Sequence, residues 1–107
     1  MNSIMSDVVK TLVPNSLKTH FRIICIQEGK TISKMIEELL VDLIRSDINI
    51  ERDLNLPSDN PVVVKAYVPK ELKRQFKIFC MEQKVPMNLA LQYIIKRRVD
   101  LNNQVPE

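Results

Sequence analysis

The chain is short of the residues from which most catalytic and cofactor sites are built. Its 107 residues include one Gly, one His, two Cys and no Trp. One glycine cannot form the glycine-rich loop that cradles a phosphate. A lone His and two distant cysteines offer no cluster at metal-ligand spacing. Neither an enzyme, a cofactor nor a metal site is therefore expected. Aromatic residues make up 5% of the chain, few for the exposed rings on which single-stranded bases stack. No apolar run approaches the roughly 20 residues that span a bilayer; the richest, 39–44, is interrupted by Asp42. The first residues, MNSIMSDVV, lack a basic stretch followed by an apolar core, so no secretory leader is expected. Two cysteines in that setting point to free thiols in a reducing cytosol.

What is present is an ordinary globular balance, 45% hydrophobic and 27% charged, with a net charge of +3. That length and balance fit one domain, residues 1–107. The charge is unevenly spread. Residues 8–46 carry six Lys/Arg against four Asp/Glu, and residues 63–101 carry nine against three. The linker and ends hold one against six. Two basic segments joined by acidic connections are the electrostatic footprint of a polyanion binder.

Sliding the sequence by 55 positions aligns its halves without a gap. Ten positions are identical: Val8/Val63, Val9/Val64, Lys10/Lys65, Val13/Val68, Pro14/Pro69, Leu17/Leu72, Lys18/Lys73, Phe21/Phe76, Ile23/Ile78 and Cys25/Cys80. Ile24/Phe79, Ile26/Met81 and Arg22/Lys77 keep their character. We read a duplication, with one unit at 8–46, a linker at 47–61 rich in Asp, Asn and Pro, and a second unit at 62–102.

Each unit starts with a β-branched run, 8–13 or 62–68, closed by a proline that suits a helix start. Leu17, Phe21, Ile24 and Cys25 then recur at helical spacing. Gly29 ends this helix and Thr31 caps a second one, whose apolar face is Ile32, Met35, Ile36, Leu39, Leu40 and Leu43. In the second unit Lys84-Val85-Pro86 stands where Gly29-Lys30-Thr31 does in the first. A single strand leaves its backbone polar groups unpaired. Two units resolve this by pairing their strands antiparallel over one core. The expected fold is mainly α with a short two-stranded antiparallel ribbon. Pairing of each unit with its equivalent in another chain is the alternative. Cys25 and Cys80 read as buried thiols, and His20 as an exposed helix residue. Ile23, Ile78, Ile26 and Met81 fall off the apolar face, to be covered by linker residues Ile48, Ile50, Leu54 and Leu56 or by a neighbouring molecule.

The string Val8–Pro14, Leu17, Phe21, Gly29-Lys30-Thr31-Ile32-Ser33 and Ile36, echoed by 63–69, Leu72, Phe76 and Leu91, resembles the ribbon-helix-helix DNA-binding family of MetJ/Arc type. Two fused copies are similar to the tandem arrangement of TraY-type plasmid-transfer proteins. The resemblance implies an intramolecular pseudo-dimer whose β-ribbon enters the major groove of double-stranded DNA. Strand side chains alternate faces. With Val64, Ala66 and Val68 inward, Val63, Lys65 and Tyr67 face outward, and the first copy gives Val8, Lys10 and Leu12. The opposite phase would bury Lys10 and Lys65 without a counter-charge. These six are the candidate base contacts, since lysine donates to guanine O6 and N7 and apolar groups meet thymine methyls. Candidate phosphate contacts lie at helix N-termini: Lys30, Thr31, Ile32, Ser33 and Lys34, and Met87 and Asn88.

The implied role is sequence-specific binding as a transcriptional repressor or a plasmid or mobile-element control protein, cytoplasmic and nucleoid-associated. Further copies would bind side by side; no membrane and no small-molecule substrate are implied. The alternatives are an antitoxin-type regulator that binds a toxin protein and a relaxosome accessory protein. Against the first, the tail after Leu101 is short for wrapping a partner.

Overall fold

Runs of valine broken by Lys, Thr and Ala at every second position form two strands with one apolar face each. The structure, a computed structural model, describes residues 5–46 and 48–103. The first four residues, linker residue Asp47 and the tail 104–107, all used in the expectations above, lie outside the described residues. Strand β1 (Ser6–Pro14) pairs antiparallel with β2 (Pro61–Pro69) in a two-stranded sheet. Ser6 faces Pro69, Lys10 faces Lys65 and Pro14 faces Pro61. Both strands run slightly past the expected 8–13 and 62–68. They stop at prolines, which have no N–H to carry the ladder further.

Four helices complete the architecture: α1 (Asn15–Gln27) and α2 (Ile32–Arg45) follow β1, and α3 (Lys70–Gln83) and α4 (Met87–Asn103) follow β2. The protein is thus mostly helical with one antiparallel ribbon. Pro14 and Pro69 end their strands with extended ψ (144° and 142°), and the helices begin one residue later. Gly29 takes the left-handed conformation at φ +68°. Its N–H donates to Ile26 O at 3.0 Å and that of Lys30 to Cys25 O at 2.9 Å, closing α1 in a Schellman turn. Thr31 then caps α2, its Oγ1 accepting from Lys34 N at 3.0 Å. After α3 the same turn recurs without glycine. Lys84 sits at φ 59°, donating to Met81 O at 3.2 Å, and Val85 donates to Cys80 O at 3.0 Å.

The core lies under the ribbon's inner face. Val9, Val13, Val64, Ala66 and Val68 meet Leu17, Phe21, Leu72 and Phe76 from α1 and α3 and Ile36, Leu40, Leu91 and Ile95 from α2 and α4. Phe21 and Phe76 have no exposed surface. Thr11, the one buried polar residue among the described residues, is 6% exposed and donates from Oγ1 to Asn88 O at 3.1 Å. Cys25 and Cys80 are buried free thiols. Burial pushes both upward, Cys80 to about 11.

The linker's apolar residues pack, but on the core and not on Ile23, Ile26, Ile78 and Met81. Ile50 is buried in the core, and Ile48, Leu54 and Leu56 pack half-buried against it. Its far end reaches α1, where Asn15 N donates to Asn60 O at 2.8 Å and Ser16 N to Asp59 Oδ2 at 2.7 Å. It leaves Ile23, Ile26, Ile78 and Met81 exposed, so linker cover of these residues is ruled out. Among the described residues no helix is long and apolar enough to cross a membrane.

Candidate nucleic-acid interface

The ribbon's outer face is set by the alternation that buries its inner one. Lys10, Leu12, Val63, Lys65 and Tyr67 are exposed, and Val8 is half-buried. For large apolar side chains the exposure is high: Leu12 52%, Val63 47% and Tyr67 57%. All six candidate base-contact residues therefore lie on one surface, in three cross-strand pairs: Val8 with Tyr67, Lys10 with Lys65, and Leu12 with Val63.

Hydrogen bonds at the ribbon edges reveal the kind of pair each is. Tyr67 N donates outward to Ser33 Oγ at 2.9 Å. Gln92 Nε2 donates to Leu12 O at 2.8 Å, and Lys18 Nζ donates to Val63 O at 2.8 Å. Backbone groups that point away from the partner strand mark the non-hydrogen-bonded positions of an antiparallel ladder, where side chains approach most closely. Two residues along, Lys10 and Lys65 are such a pair. Like charges directly opposite each other are destabilising. Among the described residues neither ammonium has a carboxylate partner within 4.0 Å. Lys65 Nζ has instead the Tyr67 ring, 5.8 Å from its centroid.

The helix starts flank this surface. Ser33, in the first turn of α2, holds the β2 edge at Tyr67, while Asn88 and Gln92, near the start of α4, hold β1 at Thr11 and Leu12. Thr31 and Lys34 are exposed. Lys30 differs from an unoccupied phosphate ligand. Its ammonium is hydrogen-bonded to Glu38 at 2.5 Å and lies 3.4 Å from Glu28. The Glu38 contact raises the Lys30 pKa and lowers that of Glu38. Ile32 and Met87 turn their side chains toward the core, leaving their backbone as the group available at each helix start.

Sequence reasoning missed the edge contacts of Ser33, Gln92 and Lys18. They protect a two-stranded sheet that would otherwise show two open edges. Lys18 carried a signal, being matched by Lys73; Gln92 carried none. Lys73 departs from its counterpart and lies 3.5 Å from Asp7. The Asp7 carboxyl is held below its ordinary value, first by the Val8 N–H and then by Lys73. No protein-family model, curated protein or solved structure matches this chain.

Proposed function

We propose that the chain is a tandem ribbon-helix-helix protein, a single-chain pseudo-dimer that binds double-stranded DNA with its ribbon in the major groove. It performs no catalysis and acts as a transcriptional repressor or a plasmid or mobile-element control protein. One observation carries this reading: two lysines in the closest cross-strand position, unneutralised and framed by exposed Leu12, Val63 and Tyr67. Such a face is unfavourable alone and complementary to a groove that presents guanine acceptors and thymine methyls. A two-stranded ribbon also has the width the major groove admits. Backbone N–H groups at the starts of α2 and α4, with Thr31, Ser33, Lys34 and Asn88, hold the flanking phosphates.

One ribbon spans few base pairs, so tight binding requires further copies side by side, spaced near one helical turn of roughly 10 bp. The test is affinity for duplex DNA as a function of salt. Neutralised phosphates release counterions, so log K falls linearly with log salt, by about 0.9 per phosphate contacted. A steep negative slope supports the reading. Absence of binding to any duplex at low salt ends it.

A further inference from the structure

The outward triplets Val8-Lys10-Leu12 and Val63-Lys65-Tyr67 match at two positions and differ at the third. Because Lys10 faces Lys65, a local twofold relation passes through that pair and exchanges the ends of the ribbon. One end displays Val8 with Tyr67, the other Leu12 with Val63. The phenol can stack and donate a hydrogen bond, whereas leucine offers an apolar contact alone. On this face the ends differ by that single side chain.

The surroundings differ in the same sense. At the Tyr67 end, Ser33 brings the start of α2 with its Thr31 cap and exposed Lys34. There α3 also begins, its first turn having no side-chain cap and carrying Lys70. At the Leu12 end, α1 begins, and its N-terminus is already occupied by a carboxylate. Asp59 accepts from Ser16 N at 2.7 Å and from Ser16 Oγ at 2.9 Å. Each end has a helix start and cations: Lys34 and Lys70 at the first, where Asp7 is engaged by Lys73 and Glu71 by Arg74, and the start of α4 with Lys18 at the second. Only at the second end does a carboxylate, Asp59, sit on a helix N-terminus where a phosphate would sit.

We infer that the chain binds duplex DNA in one orientation, on a non-palindromic site, with the Tyr67 end making the tighter base and phosphate contacts. This rests on the ribbon reading above and adds a polarity to it. The ends of a homodimer are identical by symmetry; a single chain is free to make them different.

The test uses the full chain with one attachment point for a DNA-cleaving iron chelate. Glu71 is exposed on the first turn of α3, at the Tyr67 end. A Glu71→Cys variant carries the chelate there, since Cys25 and Cys80 are buried. Duplexes are selected from a random-sequence pool, aligned and cleaved. Cuts should cluster on one flank of the aligned site, about tenfold over the other, the discrimination of roughly one base-pair mismatch. Equal cutting on both flanks overturns the inference and leaves DNA binding standing. Failure to recover any bound duplex removes the ribbon reading and this inference with it. Leu12→Tyr, at a position 52% exposed, makes the ribbon ends alike and should raise cutting on the weaker flank severalfold. An unchanged ratio overturns Tyr67 as the source of polarity.

Discussion

The breaks between α1 and α2 and between α3 and α4 reach one backbone shape from different residues. In the first, Gly29 takes the left-handed position and Thr31 caps the next helix; 55 residues on, Lys84 and Pro86 occupy those places. Both turns close with the same two kinds of hydrogen bond, from the left-handed residue and from the one after it. A lysine at φ 59° bears a steric cost that glycine does not, and here the Arg52 guanidinium from the linker donates to its carbonyl. The turn shape is therefore imposed by the core contacts on either side. Cys25 and Cys80 precede the turns, and Met35 and Ala90 follow them, all buried. The turn residues adjust how much the shape costs.

If both halves share one core, damage to either should be felt by the whole. Phe21→Ala and Phe76→Ala, each at a fully buried ring, should cost about 3–5 kcal/mol apiece. Urea denaturation followed by circular dichroism should keep one transition in both variants. Two separate transitions would mean that the halves fold independently. The two turns should respond in opposite directions. Gly29→Ala, with open space around the added Cβ but φ +68°, should lose about 1–2 kcal/mol to left-handed strain. Lys84→Gly should change stability in the opposite direction, by less, because glycine loses more chain entropy on folding. A loss at Lys84→Gly would mean that the lysine side chain itself is needed there.

The smallest effect concerns the helix starts. Asp59 caps α1, whereas α3 has no side-chain cap. The Ser16 backbone N–H, then its hydroxyl, hold the Asp59 carboxyl below its ordinary value. A lowered folded pKa means that the contribution is complete above the unfolded value, about 3.9, and is lost as pH falls through the folded one. Asp59→Asn should therefore narrow the drop in melting temperature between pH 7 and pH 3. An unchanged drop would place the acid sensitivity elsewhere, with Asp7 the next group to replace.

Local patterns made much of this legible in sequence. Period-two valines gave the faces of both strands, because burial of Lys10 and Lys65 was the costly alternative. Gly29 and Thr31 marked a helix end and a helix start through their own backbone and side-chain chemistry. The left-handed Lys84 was not legible, since its conformation is dictated by the packing around it. Nor was the role of the linker. Its apolar residues Ile48, Ile50, Leu54 and Leu56 stood out as packing residues, but their place on the core and the capping of α1 by Asp59 are tertiary contacts with no periodic trace. In the candidate site the outward set came from alternation alone. Engagement of Lys30 by Glu38 needed the approach of residues eight apart across a turn.

Removing Lys10 and Lys65 together separates what the pair does for the fold from what it does for a ligand. The direct measurement is the Lys10→Ala, Lys65→Ala double variant, assayed for melting temperature and for binding to selected and random duplex DNA. The melting temperature should be equal or higher, with preference for the selected duplex reduced by about 1–3 kcal/mol for each lysine removed. Unchanged preference for the selected duplex would mean that neither lysine reads the bases.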